Sequence, residues 1–272
     1  MILETMARES FLDTSTEKKP VLVSTGIDKL DRLLEGGIPG GFTVVLLGSP
    51  GSSIEILIKQ VAASSGNVTY ITTEETKQEI LDTMSRFKWQ ANNIDFVDIS
   101  ERYYSNVLKG EQKRVSIYEQ RSKMKLKELI ELGSTAMPST VTSDEDYLAV
   151  VSNRTKNAVQ NSTIIISSLD FFLSQYAQED VLKTVYAAKV NNLKNKGALL
   201  IVMTKGVHGE LLERKMEGIA DAVLELDVIQ KGSSFERYLS VKKMRNYAKK
   251  IGIARYVIDD SGFVLEMIER IM

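Results

Sequence analysis

The 272-residue chain contains no cysteine and a single histidine, His208. Without cysteine it can form no disulfide, no thiolate zinc site and no cysteine nucleophile, and one histidine argues against histidine-rich metal sites and Ser-His-Asp triads. Its longest apolar run, residues 198–203, is far shorter than the roughly 20 residues that a membrane helix requires. The first residues carry charges where a signal peptide would need an apolar segment. We therefore expect a cytoplasmic protein with no metal site and no membrane association.

The chain also has no excess of positive or negative charge. Its 35 Lys and Arg residues nearly balance its 36 Asp and Glu residues, which leaves a formal charge of −1. A dedicated nucleic-acid binder is usually strongly basic, so this balance argues against that class. The hydrophobic fraction of 43% is typical of a globular protein.

The pattern along the chain predicts an N-terminal arm and one domain. Residues 1–20 are polar and end at Pro20, so we interpret them as a loosely attached arm. Residues 21–272 alternate short apolar runs with amphipathic stretches, which predicts an α/β fold with a mainly parallel sheet, helices on both faces and antiparallel C-terminal strands. A helical insertion at about 101–161 interrupts the alternation. Its basic run is either a solvated helix face or a partner-binding arm.

A glycine loop follows the first long apolar run, residues 42–47, and precedes a stretch with helical spacing. Strand, glycine loop and helix in this order are typical of a phosphate-binding unit. An intact Walker A loop reads G-x-x-x-x-G-K-[ST], so aligning Gly48 with its first glycine places Ser53, Ile54 and Glu55 at the other three fixed positions. The alternative is a plain tight turn without ligand. The loop residues are Gly48, Ser49, Pro50, Gly51, Ser52 and Ser53.

Four segments together resemble the RecA-like ATPase domain of the KaiC-like proteins, of the archaeal type. Residues 23–51 resemble its first strands and phosphate loop, and residues 70–76 (Tyr-Ile-Thr-Thr-Glu-Glu-Thr) resemble its strand with paired glutamates. Residues 164–169 resemble the Walker B strand, and residues 239–245 (Leu-Ser-Val-Lys-Lys-Met-Arg) resemble its late Lys-Met-Arg strand. The resemblance implies a RecA-like P-loop fold over nearly the whole chain.

The departures from the family pattern carry the functional prediction. The resemblance implies a lysine, a hydroxyl and a Walker B aspartate, where this chain has Ile54, Glu55 and Ser167. Losing one cation and adding a carboxylate makes the cleft repel the four negative charges of ATP. At an effective dielectric near 20, each such charge at 4 Å is worth about 4 kcal/mol. We therefore predict a pseudo-ATPase with no cofactor, in which ATP with Mg²⁺ is disfavoured. The alternative is a weak nucleotide site that uses only backbone N–H groups.

Two pairs of residues match functional positions of the family. The resemblance implies that Glu74 and Glu75 match the family's paired glutamates, one of which polarises the attacking water, and here they are vestigial. Alternatively they begin a helix that Thr72 or Thr73 caps. The resemblance implies that Lys243 and Arg245 reach the phosphates bound by a neighbouring subunit. The alternative is two solvated charges on an edge strand.

These residues predict a regulatory or structural subunit that assembles with itself or with a catalytically intact RecA/KaiC-like paralogue. A different class of function is single-stranded DNA binding by a recombinase or repair accessory protein. Residues 231–255 carry eight basic residues against Glu236, and Tyr238 and Tyr247 interleave them, as in proteins that stack bases on aromatic rings.

Overall fold

The computed structural model describes residues 21–122, 145–246 and 252–266. These residues form one nine-stranded sheet with helices on both faces, and a two-stranded ribbon beside it. This architecture confirms the predicted α/β fold. The arm at residues 1–20 and part of the predicted insertion lie outside the described residues.

Eleven strands are present in the described part of the chain. In chain order they are β1 Leu22–Val23, β2 Ile38–Pro39, β3 Thr43–Gly48, β4 Val68–Thr72, β5 Ile94–Asp98, β6 Thr163–Ser167, β7 Ala198–Thr204, β8 Ala222–Lys231, β9 Ser234–Met244, β10 Ile253–Asp259 and β11 Gly262–Glu266. The large sheet has the order β11-β10-β9-β8-β3-β7-β6-β4-β5, so β3 lies near its centre.

Eight helices are described. They are α1 Asp28–Leu33, α2 Ile54–Ser64, α3 Lys77–Arg86, α4 Ile99–Ser122, α5 Tyr147–Lys156, α6 Leu169–Gln175, α7 Gln178–Asn195 and α8 Glu210–Ile219. Helices α1, α2 and α3 contribute to a hydrophobic core on one face of the sheet, and α5 to α8 contribute to a core on the other face.

The six strands from β8 to β5 in the sheet order pair in parallel. All six residues of β3 are buried, as are six of the seven residues of β7. Strands covered on both faces by helices have continuous apolar sequences, which explains why these runs could be recognised. Because the strands are parallel, their carboxyl ends meet at one edge, where ligands bind in such sheets.

The C-terminal part of the sheet is antiparallel, as predicted. The hairpin of β8 and β9 is longer than the apolar run at residues 222–226, because β8 continues to Lys231 through residues that are half-buried or exposed. Strands β10 and β11 add to β9 and pack over the loop that follows β3.

The predicted insertion begins with a helix, α4. Most of its side chains are exposed, including Leu108, Val115 and Tyr118. The turn-rich stretch at residues 133–144 lies outside the described residues.

Candidate functional site

The glycine loop joins β3 to α2 at the carboxyl edge of the parallel strands. Ser53 has a left-handed backbone (φ 57°) and Gly51 also has a positive φ of 84°. A Cβ on Gly48 would lie 2.9 Å from Oγ of Ser52 and 3.0 Å from Cδ1 of Ile54, so a larger residue would have to displace these side chains. The loop therefore keeps a tight, glycine-dependent shape, with the apolar side chain of Ile54 packed against its first residue.

Two side chains from the antiparallel strands hold the carbonyl groups of this loop. The hydroxyl of Tyr256, in β10, donates to the carbonyl of Ser52 at 2.5 Å, and Nε of Arg237, in β9, donates to the carbonyl of Gly51 at 3.1 Å. Burial of Tyr256 raises the pKa of its hydroxyl. A hydroxyl that stays protonated is a permanent donor, so the contact does not depend on a ligand.

A lysine that sequence analysis did not single out lies at the base of the loop. Nζ of Lys205 is 2.6 Å from Oε1 of Glu225 and 2.8 Å from Oδ1 of Asp227, which also accepts a hydrogen bond from Oγ of Ser49 at 2.6 Å. Partial burial lowers the pKa of the Lys205 ammonium. The hydrogen bonds that it donates to Asp227 and Glu225 outweigh this effect, so the pKa is raised. This cation is already neutralised by two carboxylates.

The cleft beside the loop is acidic. Burial raises the pKa of the Tyr70 hydroxyl, and the negative charges of Glu75, Glu55 and Glu74 raise it further. Glu55 is exposed in the first turn of α2. The negative charges at the Walker A hydroxyl position and at the paired glutamates therefore act on one buried phenol.

Both glutamates of the predicted pair are engaged within the chain. Oε1 of Glu75 is 2.6 Å from Nζ of Lys59, whose side chain is 1% exposed. Oε1 of Glu74 accepts a hydrogen bond from Oγ of Ser168 at 2.6 Å.

The alternative that Thr72 or Thr73 caps a helix begun by these glutamates is wrong. The cap of α3 is Thr76, which forms a reciprocal capping box with Glu79. Sequence analysis could have found this signal, because Thr76 and Glu79 have the required spacing of three.

The Walker B position lies at the end of β6. Ser167 pairs with Thr72 of β4, and the next residue, Ser168, caps α6 by accepting a hydrogen bond from the backbone N–H of Asp170. Within the described ranges, no three Asp, Glu or His side chains are grouped so that they could hold a metal ion.

Lys243 and Arg245 lie together at the end of β9. Nζ of Lys243 donates to the carbonyls of Glu217 and Ala220, both at 2.7 Å, at the C-terminal end of α8. Arg245 is half exposed and pairs with Asp221 at 2.9 Å. The alternative of two solvated charges on an edge strand is wrong for the strand, because β9 lies between β8 and β10, and for Lys243, which is bound by backbone carbonyls, whereas Arg245 is half exposed.

The basic residues of the predicted DNA-binding stretch also have partners. Lys231 pairs with Glu236, Lys242 pairs with Glu217 and Glu225, and Arg255 pairs with Glu236 and Glu266. Tyr247, Lys249 and Lys250 lie outside the described residues.

The one histidine lies near the same edge of the sheet. Nε2 of His208 is 2.8 Å from Oδ1 of Asp170, whose other oxygen accepts a hydrogen bond from the backbone N–H of Thr204 at 2.9 Å. This contact ties the loop after β7 to α6.

A central parallel sheet with a glycine loop after β3 and an antiparallel C-terminal extension defines a RecA-like P-loop domain. The chain belongs to the KaiC ATPase family, because the family described as "ATPase: KaiC" matches residues 23–270. A UPF0273 protein from Pyrococcus furiosus is 22% identical over 250 residues, which cover 89% of this chain and 93% of that protein. The crystal structure of a KaiC-like protein from Pyrococcus horikoshii matches with a TM-score of 0.64 at 18% identity, covering 91% of this chain and all of that one. No helix among the described residues is long and apolar enough to cross a membrane.

Proposed function

We propose that this chain is a non-catalytic member of the KaiC family that acts as a regulatory or structural subunit, with copies of itself or with an active paralogue. The observation that carries the proposal is the set of side chains at the three chemical positions of the site. Ile54 packs against Gly48, Glu55 adds a carboxylate, and Ser167 ends β6 without a negative charge.

The residues present do not fit ATP with Mg²⁺. Phosphate oxygens need a nearby cation, and Mg²⁺ is normally held by a hydroxyl and a Walker B carboxylate. Nearby cations exist, but Lys205 is bound by Glu225 and Asp227, and Lys59 is bound by Glu75. A nucleotide would have to compete with those carboxylates for either ammonium.

The same contacts bear on the hydrolytic chemistry. A general base must lie within hydrogen-bond reach of the attacking water. Glu75 is paired with a buried ammonium and Glu74 accepts a hydrogen bond from Ser168, so both carboxylates already have a partner within the chain. These contacts favour a vestigial role for the pair.

Calorimetry with ATP and Mg²⁺ tests the proposal, and a restored variant makes the test two-sided. The native chain should give no heat of binding at micromolar concentrations. Ser53→Gly, Ile54→Lys, Glu55→Thr and Ser167→Asp together should create binding, because the loop already has the required backbone shape. A control variant, Ile54→Met with Glu55→Gln, should still give no heat of ATP binding. Micromolar binding by the native chain would overturn the proposal.

The partner site would use Arg245 more than Lys243. Lys243 is bound by the carbonyls of α8, whereas Arg245 is half exposed and makes one ion pair with Asp221. A guanidinium has five N–H donors, so Arg245 keeps the capacity to contact phosphate oxygens on a neighbouring subunit.

This part of the proposal is tested in a mixed complex with a KaiC-like ATPase that has intact Walker motifs. Adding the native chain should raise the partner's ATPase rate, and Arg245→Ala should remove most of that increase. Lys242→Ala, which removes a neighbouring exposed cation, is the matched control and should keep it. If both Arg245→Ala and the double variant Lys243→Ala with Arg245→Ala stimulate like the native chain, the partner role is refuted.

A further inference from the structure

Helix α7 has an apolar face that no described residue covers. Tyr186, Val190 and Leu193 are 54%, 51% and 64% exposed, and Leu182, one turn before Tyr186, is half-buried. Their spacings of four, four and three residues place them on one face of the helix, which we call the α7 stripe. The opposite face of α7 packs in the core. Exposed apolar surfaces of this kind commonly mark a contact site.

The two ends of the stripe carry opposite charges that have no ion pair. Four of the nearby charged side chains form two pairs within the chain, Lys183 with Asp180 and Lys189 with Asp221. Glu179, at the N-terminal end of α7, and Lys194 and Lys196, at its C-terminal end, are exposed and make no ion pair within the described ranges. These placements suit the helix dipole in a single chain. They also provide opposite charges for a helix that runs antiparallel to α7.

A second copy of α7 in the antiparallel direction matches the apolar and the charged residues in one register. When Tyr186 faces Val190 of the second copy, Leu182 lies close to Leu193 of that copy. In the same register Glu179 lies near the C-terminal lysines of the second helix. A two-fold axis forms each of these contacts twice, because the same surface is used by both copies. A parallel pair would instead place like charges together at both ends.

We propose that the α7 stripe is a contact surface for a second copy of this chain, with the two helices antiparallel about a two-fold axis. Packing of the two stripes removes their apolar side chains from water, and the charged ends fix the direction. The helix of 18 residues is about 27 Å long, so one such helix pair is a small interface and the dimer should be weak, with a dissociation constant in the micromolar range.

This surface is separate from the glycine loop. Helix α7 contributes to the core on one face of the sheet, and α2, which follows the loop, contributes to the core on the other face. The contact gives a physical form to association between copies of the chain, but it does not rest on the loss of ATP chemistry. Its failure would leave the non-catalytic assignment, which calorimetry tests, unchanged.

Sedimentation velocity of the full chain tests the contact. The native chain should show a monomer–dimer equilibrium in the micromolar range. Val190→Asp should raise the dissociation constant by about a hundredfold, because each dimer loses two buried valines. Val115→Asp, at a valine of similar exposure on α4, is the matched control and should leave the constant unchanged. A native chain that stays monomeric at the highest concentration, or a dimer that Val190→Asp leaves intact, would overturn the proposal.

Charge reversal tests the antiparallel direction with variants that keep the apolar surface. Glu179→Lys, and separately Lys194→Glu with Lys196→Glu, should each weaken the dimer by about tenfold, because both ends then bring like charges together. All three substitutions in one chain should restore the native dissociation constant, since each end again joins opposite charges. Antiparallel pairing is refuted if the combined variant is as weak as the separate ones, or if the separate variants associate like the native chain.

Discussion

The ion pair of Lys59 and Glu75 joins an inaccessible ammonium to a carboxylate that is 32% exposed. The two halves of such a pair are not equivalent. A buried ammonium without a partner costs several kcal/mol, whereas a carboxylate that reaches solvent can be hydrated when its partner is removed. The pair therefore holds Glu75 in place while it neutralises a charge that α2 would otherwise bury alone.

Substitutions at this pair should therefore have unequal effects. Lys59→Met replaces the ammonium with an apolar chain of similar length and should change the free energy of unfolding by about 1 kcal/mol or less. Glu75→Leu strands the ammonium and should cost about 3 kcal/mol or more. Urea unfolding of the two variants measures both values. A larger loss for Lys59→Met would contradict the assignment of the buried charge.

Single residues of the site were predictable only where a motif fixes their spacing. Ile54, Glu55 and Ser167 could be placed because each follows an apolar strand at a set distance. The roles of Lys59 and Lys205 could not, because their partners lie on other elements, 16 and 20 or more residues away. Tyr256 contacts Ser52 across 204 residues, and no local pattern marks such a pair.

Among the elements, α8 depends on a side chain from outside it. Its last carbonyl groups have no partners within the helix, and Lys243 of β9 donates to two of them at 2.7 Å. Burial lowers the pKa of this ammonium, and the neighbouring charges of Arg245 and Lys189 lower it further. Lys243 thus acts as a C-terminal cap that connects α8 to the antiparallel strands.

Removal of this cap should destabilise the domain. Lys243→Met deletes a charged donor to several carbonyls and should lower the free energy of unfolding by about 1 to 2 kcal/mol. Lys242→Met removes ion pairs with Glu217 and with the buried Glu225, but Glu225 keeps Lys205 as a partner, so the loss should be smaller, about 0.5 kcal/mol. Thermal unfolding of the two variants measures this difference. Equal losses in the free energy of unfolding would exclude a capping role for Lys243.

Element boundaries were predictable where burial is complete. Strands β4 and β6 coincide with apolar and β-branched runs of the sequence at residues 68–72 and 163–167, which polar residues bound on both sides. The second half of β8 was missed, since its alternating and exposed residues give no continuous apolar signal. The cap of α3 was misplaced, because Thr72 and Thr73 precede Thr76, the residue that caps it.

At the scale of the whole molecule, the described basic residues between positions 231 and 255 are paired with groups that lie near them in the fold. The basic stretch at residues 231–255 looks like a nucleic-acid surface in the sequence. In the fold, its described lysines and arginines contact carboxylates or backbone carbonyls. DNA phosphates would have to replace these contacts. The folded surface therefore has fewer free cations than the number of basic residues in the sequence suggests.

We therefore expect no specific binding of single-stranded DNA. A fluorescently labelled oligonucleotide should show no change in anisotropy with micromolar protein at about 50 mM salt, where phosphate contacts are strong. Mutating Glu236 and Glu266 to Gln together should expose positive charge and create weak, salt-sensitive binding. Tight binding by the native chain that weakens with added salt would contradict the expectation and favour the DNA-binding alternative.

Tyr256 and Arg237 hold the glycine loop through the carbonyl groups of Ser52 and Gly51. A protein that binds ATP gains stability in proportion to the logarithm of the ATP concentration, and its abundance follows the energy state of the cell. The proposed non-catalytic chain, whose loop carbonyls are held by its own tyrosine and arginine, would gain no such stability from ATP. The amount of folded chain available to a partner would then stay constant, whereas the partner's own stability would change with the ATP concentration.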